Sequence, residues 1–154
     1  MKLYFAGPLF SAAERHFNAR LTERLEGTGF EVFLPQRDGA ESDKPPYDLM
    51  PKEARRQAMF RLDEENILAA RVFLFVLDGR VPDEGACVEL GIAHAQRKLM
   101  NVPKLLIGLQ TDVRAAFLGA KLNPMLNVFL DYVTDSESEL LSILTRYADT
   151  GRLP

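Results

Sequence analysis

The sequence contains one cysteine, two histidines and no apolar run approaching a membrane span. A lone Cys87 cannot close an internal disulfide, which fits a reducing, cytoplasmic setting. No cluster of His and Cys has metal-ligand spacing, so no metal is expected. Apolar runs stop well short of the ~18 residues a membrane span needs. Net charge is only −3 with both signs dispersed, which argues against a nucleic-acid or membrane-surface partner. The opening MKLYFAGP is broken too early to read as a secretory leader and reads instead as a strand. Neither GxxxxGK[ST] nor GxGxxG follows that strand, so nucleoside-triphosphate and dinucleotide readings are weak. No repeat, low-complexity stretch or linker interrupts the 154 residues. A single domain over residues 1–154 is expected, long enough to bury roughly 70% of its unfolded surface. Its 47% apolar and 27% charged composition is that of an ordinary globule.

What is present alternates between strand and helix signals. Residues 2–6 form a short β run ending at Gly7-Pro8. Ser11 followed by Glu14 is a capping box, and Ala13, Phe17, Leu21 and Leu25 recur at helical spacing as one buried stripe until Gly27 or Gly29 stops it. Strands are expected at 30–34, 72–77, 104–109 and 128–133, and helices at about 51–69, from Asp83 onward, at 111–118 and at 136–147. Residues 35–49, rich in Pro, Gly, Asp and Ser, read as one long irregular loop, a kind that is usually functional or mobile. This alternation predicts an α/β three-layer fold of flavodoxin or Rossmann type, with a mostly parallel five-stranded sheet. In such sheets ligands bind beyond the carboxyl ends of the strands. That rim gathers Gly7 to Phe10, Pro35 to Asp38, Asp78 to Asp83 and the start of the helix that follows.

That helix poses the main question. Residues 71–95 read RVFLFVLDGRVPDEGACVELGIAHA: an apolar run, a break at Asp78-Gly79, then a helix of small and apolar side chains interrupted by Glu89. Gly85, Ala86, Ile92 and Ala93 are its neighbours one turn away, so Glu89 lies on an unsolvated face. A lone acid there is costly unless paired or used. The structural alternative is an acid bonded to neighbouring backbone or to an arginine such as Arg71 or Arg80. The functional one is a carboxylate held ionised near a helix start, as a nucleophile requires.

Asp63 stands apart from Glu64 and Glu65, because Met59, Phe60 and Ile67 share its helical face. Desolvation on such a face raises a carboxyl's pKa and keeps it protonated near neutral pH. One ionised and one protonated carboxyl is the pairing glycosyl transfer uses. Asp83 is also a good helix N-cap, and Asp78 before Gly79 a turn residue. Tyr4 is either a core tyrosine or a hydroxyl aimed at a carboxylate from the rim. His16 and His94 read as surface or boundary residues.

The segments YFAGPLF (residues 4–10), Asp63, PDEG with VELG (residues 82–85 and 88–91) and NPML (residues 123–126) resemble, in order and over nearly the whole chain, the nucleoside 2-deoxyribosyltransferases. PDEGACVELG is the most specific part. The resemblance implies that Glu89 is the nucleophile, that Tyr4 orients it through a hydrogen bond, and that Asp63 contacts the nucleobase and handles its proton. It implies that Asp83 holds the sugar 5′-hydroxyl or assists at the base, and that Gln36 contacts the base. Asn123 would reach the 5′ end of a neighbouring subunit's nucleoside, with Gly7, Phe10 and Met125 completing the substrate pocket.

The activity implied is exchange of 2-deoxyribose between nucleobases without metal or cofactor. Its substrates are a 2′-deoxynucleoside and a free base, and its assembly a dimer-based homo-oligomer with shared sites. Apolar residues Phe117, Leu118, Leu122 and Met125 suit such an interface or ordinary packing. Two rivals remain. One is a deoxynucleoside 5′-monophosphate N-glycosidase, for which Ser11, Arg15 and Arg37 are the available phosphate cradle. The other is a non-catalytic nucleotide-binding module.

Overall fold

The computed structural model describes residues 1–40, 42–112, 114 and 122–152. Five strands, β1 (Lys2–Ala6), β2 (Glu31–Phe33), β3 (Val72–Val76), β4 (Leu105–Leu109) and β5 (Tyr132–Thr134), form one sheet in the order β2-β1-β3-β4-β5. Every described pairing is parallel. Such a sheet must be covered on both faces, and the side-chain alternation of β1 shows how. Leu3 and Phe5 point to one layer with Leu21 and Leu25 of α1 (Ala12–Gly27) and Leu140 and Leu144 of α6 (Glu137–Thr150). Tyr4 and Ala6 point to the other layer, with Ile67 of α3 (Lys52–Ala69) and Leu90 and Ala93 of α4 (Glu84–Met100). The expected three-layer α/β architecture is therefore present.

Local chemistry sets the helix starts. Ser11 and Glu14 form the reciprocal capping box that starts α1, which satisfies two backbone donors that would otherwise be orphaned. Asp83 caps α4 by accepting from the Ala86 amide at 2.8 Å. At the far end of α3 the buried Lys104 ammonium donates to the Ile67 carbonyl, closing the helix that carries Asp63.

Four expectations are corrected. Residues 35–49 are not one irregular loop: Pro35 opens a short helix, α2 (Pro35–Asp38), and a 3-10 turn spans Tyr47–Leu49. The fifth strand expected at 128–133 is present but displaced: α5 (Pro124–Phe129) comes first and β5 spans only Tyr132–Thr134. Asn123 caps α5 by accepting from the Met125 amide at 2.9 Å and Pro124 occupies the first turn, a start signal that the apolar run 128–130 hides. Ala13 is exposed rather than buried, because the inner face of α1 is made by Asn18, Leu21, Thr22 and Leu25. Finally, strands 30–34, 72–77 and 104–109 are each shorter by one or two residues. Of the helix expected at 111–118, residues 113 and 115–118 lie outside the described residues, and with them Phe117 and Leu118.

Candidate active site

The site grows from the end of β1. After Ala6 the chain turns at Gly7, whose φ of 155° is unfavourable for a side chain, and where a Cβ would lie 2.9 Å from the Cβ of Val76. Glycine lets the β1–α1 loop press against the end of β3. The loop is then held by the first turn of α1. The Glu14 carboxylate accepts from the amides of Phe10 and Ser11 at 2.9 and 2.6 Å, and the Arg15 guanidinium donates to the carbonyls of Leu9 and Phe10.

Behind this loop lies a cavity of about 300 Å³. Its polar lining consists of Asp63 from α3, Asp83 from the start of α4 and Glu89 from the second turn of α4; no Lys, Arg or His lines it among the described residues. Its apolar walls include Leu9, Phe10, Pro35 and Met59. Gly39 and Ala40 form part of the lining too. A Cβ on Gly39 would come within 2.3 Å of the Pro35 carbonyl oxygen, so only glycine lets the backbone turn so close to α2.

Glu89, which lines the cavity, is bonded to Tyr4. The fully buried Tyr4 hydroxyl donates to Glu89 Oε1 at 2.9 Å. Burial, the charge of Glu89 and that of Asp63 together push the Tyr4 phenol far above its usual range, so it remains a protonated donor. Glu89 itself is pushed up to about 7: burial raises it, the Tyr4 hydrogen bond pulls it down, and the nearby Asp63 and Asp83 raise it. The sequence reading assigned the ionised state to Glu89. In the structure burial works against that form by pushing the carboxyl up to about 7, and Tyr4 is the side chain that favours it. No arginine pairs with Glu89 among the described residues; its partner is Tyr4.

Asp83 does two things at once, capping α4 and facing the cavity. Asp63 faces the same cavity, although Met59 and Phe60, expected to bury its face, are 40% and 53% exposed. Asp78 is a turn residue: its carboxylate accepts from the Thr111 amide and hydroxyl and from the Asp112 amide, at 2.6, 2.5 and 2.9 Å, tying the ends of β3 and β4 together.

Three expected substrate residues lie elsewhere. Gln36 accepts from Asn18 Nδ2 at 3.1 Å and donates to the Arg15 carbonyl at 2.9 Å, and it lines a different surface recess from the one holding the carboxylates. Asn123 and Met125, both exposed, line a larger cavity of about 710 Å³ with Arg80, Val81 and Cys87. That cavity is bordered by Cys87 of α4 and by Leu126 and Phe129 of α5, and Glu89 does not line it. α5 is held there by His94, stacked on Phe129 at 4.0 Å, and by the Arg97–Asp131 pair at 2.6 Å. His94 is thus a packing residue, while His16 is exposed.

Sequence reasoning placed Leu9 and Pro35 on the ligand rim but missed Gly39 and Ala40 as cavity walls. It also missed Asn18, which is 2% exposed and donates to the Pro8 carbonyl at 2.9 Å as well as to Gln36. One buried amide thereby joins the β1–α1 loop to α2. A polar residue within the stripe of α1 was the available signal.

Residues 3–141 match the model of the nucleoside 2-deoxyribosyltransferase family. The chain belongs to this family. Solved structures of similar fold include a conserved protein from Enterococcus faecalis, 29% identical over 95% of this chain and 98% of that one, with a TM-score of 0.72. A 2-deoxyribosyltransferase from Bacillus psychrosaccharolyticus is 20% identical over 92% and 90%, also with a TM-score of 0.72. A CMP N-glycosidase from Clostridium botulinum is 18% identical over 96% and 99%, with a TM-score of 0.50. A comparison with curated proteins finds no match. Among the described residues no three His, Cys, Asp or Glu side chains are grouped to hold a metal, and no helix is long and apolar enough to cross a membrane.

Proposed function

We propose that this member of the family transfers 2-deoxyribose between nucleobases by double displacement, with Glu89 as nucleophile. The observation that carries the reading is the 2.9 Å Tyr4–Glu89 hydrogen bond, made by a carboxyl that lines the same cavity as Asp63. A Glu89 oxygen bonds to C1′ of a 2′-deoxynucleoside as the C1′–N bond breaks. Its electron pair leaves with the base, which takes a proton from Asp63. A deoxyribosyl–Glu89 ester remains. A second base attacks C1′, returns its proton to Asp63 and releases the Glu89 carboxylate. Two inversions give net retention. Absence of a 2′-hydroxyl eases positive charge at C1′, so carboxyl groups alone suffice. Water attacking the ester gives slow hydrolysis.

Asp83 serves the sugar 5′-hydroxyl or the base from its place at the α4 start. Asn123 and Met125, exposed and away from the carboxylates, complete a neighbouring subunit's site in a dimer-based assembly. Gln36 reaches the base only if it leaves its bonds to Asn18 and Arg15.

The alternative, hydrolysis of a deoxynucleoside 5′-monophosphate, is favoured by the N-glycosidase among the similar folds. It is disfavoured by the lining, where three acidic side chains and, among the described residues, no cation would face a phosphate. The cations available for a cradle are engaged. Arg15 holds the Leu9 and Phe10 carbonyls, and Arg37 holds Asp38, Glu26 and the Val32 carbonyl. The test incubates enzyme with a deoxynucleoside plus a second free base, and separately with the deoxynucleotide alone, and separates the products by chromatography. New deoxynucleoside supports transfer; free base from the nucleotide alone supports the rival.

A further inference from the structure

Tyr4 does not stand alone on its strand. In the parallel register it lies directly opposite Phe33 of β2 and Phe73 of β3. All three side chains rise from the same sheet face toward α3 and α4. The Tyr4 ring is stacked on both: 5.5 Å and 18° from Phe33, and 5.6 Å and 10° from Phe73. These are offset-stacked geometries. Phe73 has no exposed surface and Phe33 only 8%.

The arrangement has a mechanical consequence. A phenol hydroxyl lies on the axis about which its ring flips, so rotation at χ2 leaves the oxygen in place. Only a lean of the whole ring across the sheet, or a change at χ1, moves the hydroxyl off Glu89. A ring packed on each face blocks that lean. Helix α4 is fixed independently, by its Asp83 cap and by Leu90 and Ala93 in the core, so the Tyr4–Glu89 distance is set from the sheet side by the stack.

We propose that Phe33 and Phe73 are positioning residues: clamping Tyr4 from both sides, they hold its hydroxyl on Glu89 and so keep that carboxyl available as the attacking group. The proposal rests on the reading of Glu89 as nucleophile. The groups facing Glu89 are Tyr4 from β1, Asp63 from α3 and Asp83 at the α4 start. Of these only Tyr4 donates to it in a way that lowers its pKa, so a loosened clamp shifts the Glu89 titration upward.

The experiment compares Phe33→Leu, Phe73→Leu and Phe75→Leu. Phe75 is equally buried on the same face but is not stacked on Tyr4, so it controls for loss of a core ring. The Glu89 side-chain carboxyl is titrated by carbon NMR in each folded variant, and kcat/KM for base exchange is followed against pH. The clamp predicts that Phe33→Leu and Phe73→Leu raise the Glu89 pKa by about half a unit or more and move the acid limb of the pH profile with it. Phe75→Leu leaves both where they are, whatever its effect on thermal stability. Equal titration in all three variants overturns the clamp. The NMR titration needs no turnover, so absence of exchange in the wild-type enzyme would count against the nucleophile reading and leave the clamp to be judged by the titration. If Phe73→Leu fails to fold, Phe33→Leu at the sheet edge decides by the same measurement.

Discussion

The hydroxyl of Tyr4 donates to the carboxylate of Glu89 at 2.9 Å across 85 residues of sequence. One group comes from the first strand of the sheet and the other from the second turn of the helix after β3. Neither position makes sense alone: a buried phenol needs an acceptor and a carboxyl among small residues needs a donor. Each satisfies the other, and the pair sits where the sheet opens into a cavity.

Tyr4→Phe removes the donor while keeping the ring between Phe33 and Phe73. The hydrogen bond favours the ionised carboxyl, so its loss raises Glu89 above its value of about 7. Exchange at neutral pH is expected to fall by about 10- to 100-fold, with the acid limb of kcat/KM displaced to higher pH. A rate loss without displacement would mean that the hydroxyl acts on substrate instead.

Glu89 also makes stability depend on pH. Its carboxyl is raised from 4.5 when exposed to about 7 when folded, so the folded chain binds more protons between these values. Its contribution is most favourable below about pH 4.5 and is lost as pH rises through 7. Glu89→Gln abolishes this dependence. At pH 8 the variant is expected to be more stable than wild type, by on the order of 2 kcal/mol, while inactive in exchange. Urea unfolding of both proteins at pH 5 and pH 8 measures it: the gap between them should widen with pH.

Asp83 has two duties that substitutions separate. Asp83→Ala removes the acceptor for the Ala86 amide and should cost about 1 kcal/mol, the usual value of an N-cap. Asp83→Asn retains a capping oxygen and should recover most of that loss. If activity stays low in Asp83→Asn although the melting temperature returns, the charge serves the reaction as well as the helix.

The proposed sharing of sites between subunits makes a mixing prediction. Glu89→Ala lacks the proposed nucleophile, and Asn123→Ala lacks the group proposed for a neighbouring site. Each variant alone should be nearly inactive. Subunits mixed, dissociated and reassembled should recover a fraction of wild-type exchange, because some sites then combine an intact Glu89 with an intact Asn123. No recovery, in assemblies shown by light scattering to be mixed, would place Asn123 in its own subunit's site or in none.

The sequence revealed the frame and the acids but not how they meet. Strand 2–6, the Ser11–Glu14 box and the Asp83 cap are local patterns, written within a few residues, and all three appear in the structure. The misplaced strand at 128–133 shows the limit of periodicity. A short apolar run suits either element, and the Asn123-Pro124 start upstream carries a helix through Phe129, leaving the strand to begin at Tyr132. The long loop concealed α2 for a similar reason, since proline reads as a breaker although it also opens helices. Glu89 was conspicuous by its neighbours, but its bond to Tyr4 depends on sheet order and on which face each side chain takes. The stack of Phe33, Tyr4 and Phe73 depends further on parallel register, which is fixed only when the whole sheet assembles. Gln36, attractive as a base contact, is bonded instead to Asn18 and Arg15, a pairing that no spacing rule discloses.

The covalent ester is the centre of the account, and intact-protein mass spectrometry addresses it directly. Enzyme mixed with a 2′-deoxynucleoside in the absence of acceptor base, then quenched in acid, should gain the mass of one deoxyribosyl group. Peptide mapping should locate it on Glu89, and adding a second base before the quench should remove it. An adduct on another residue, or rapid exchange with no adduct at any quench time, would contradict Glu89 as the nucleophile.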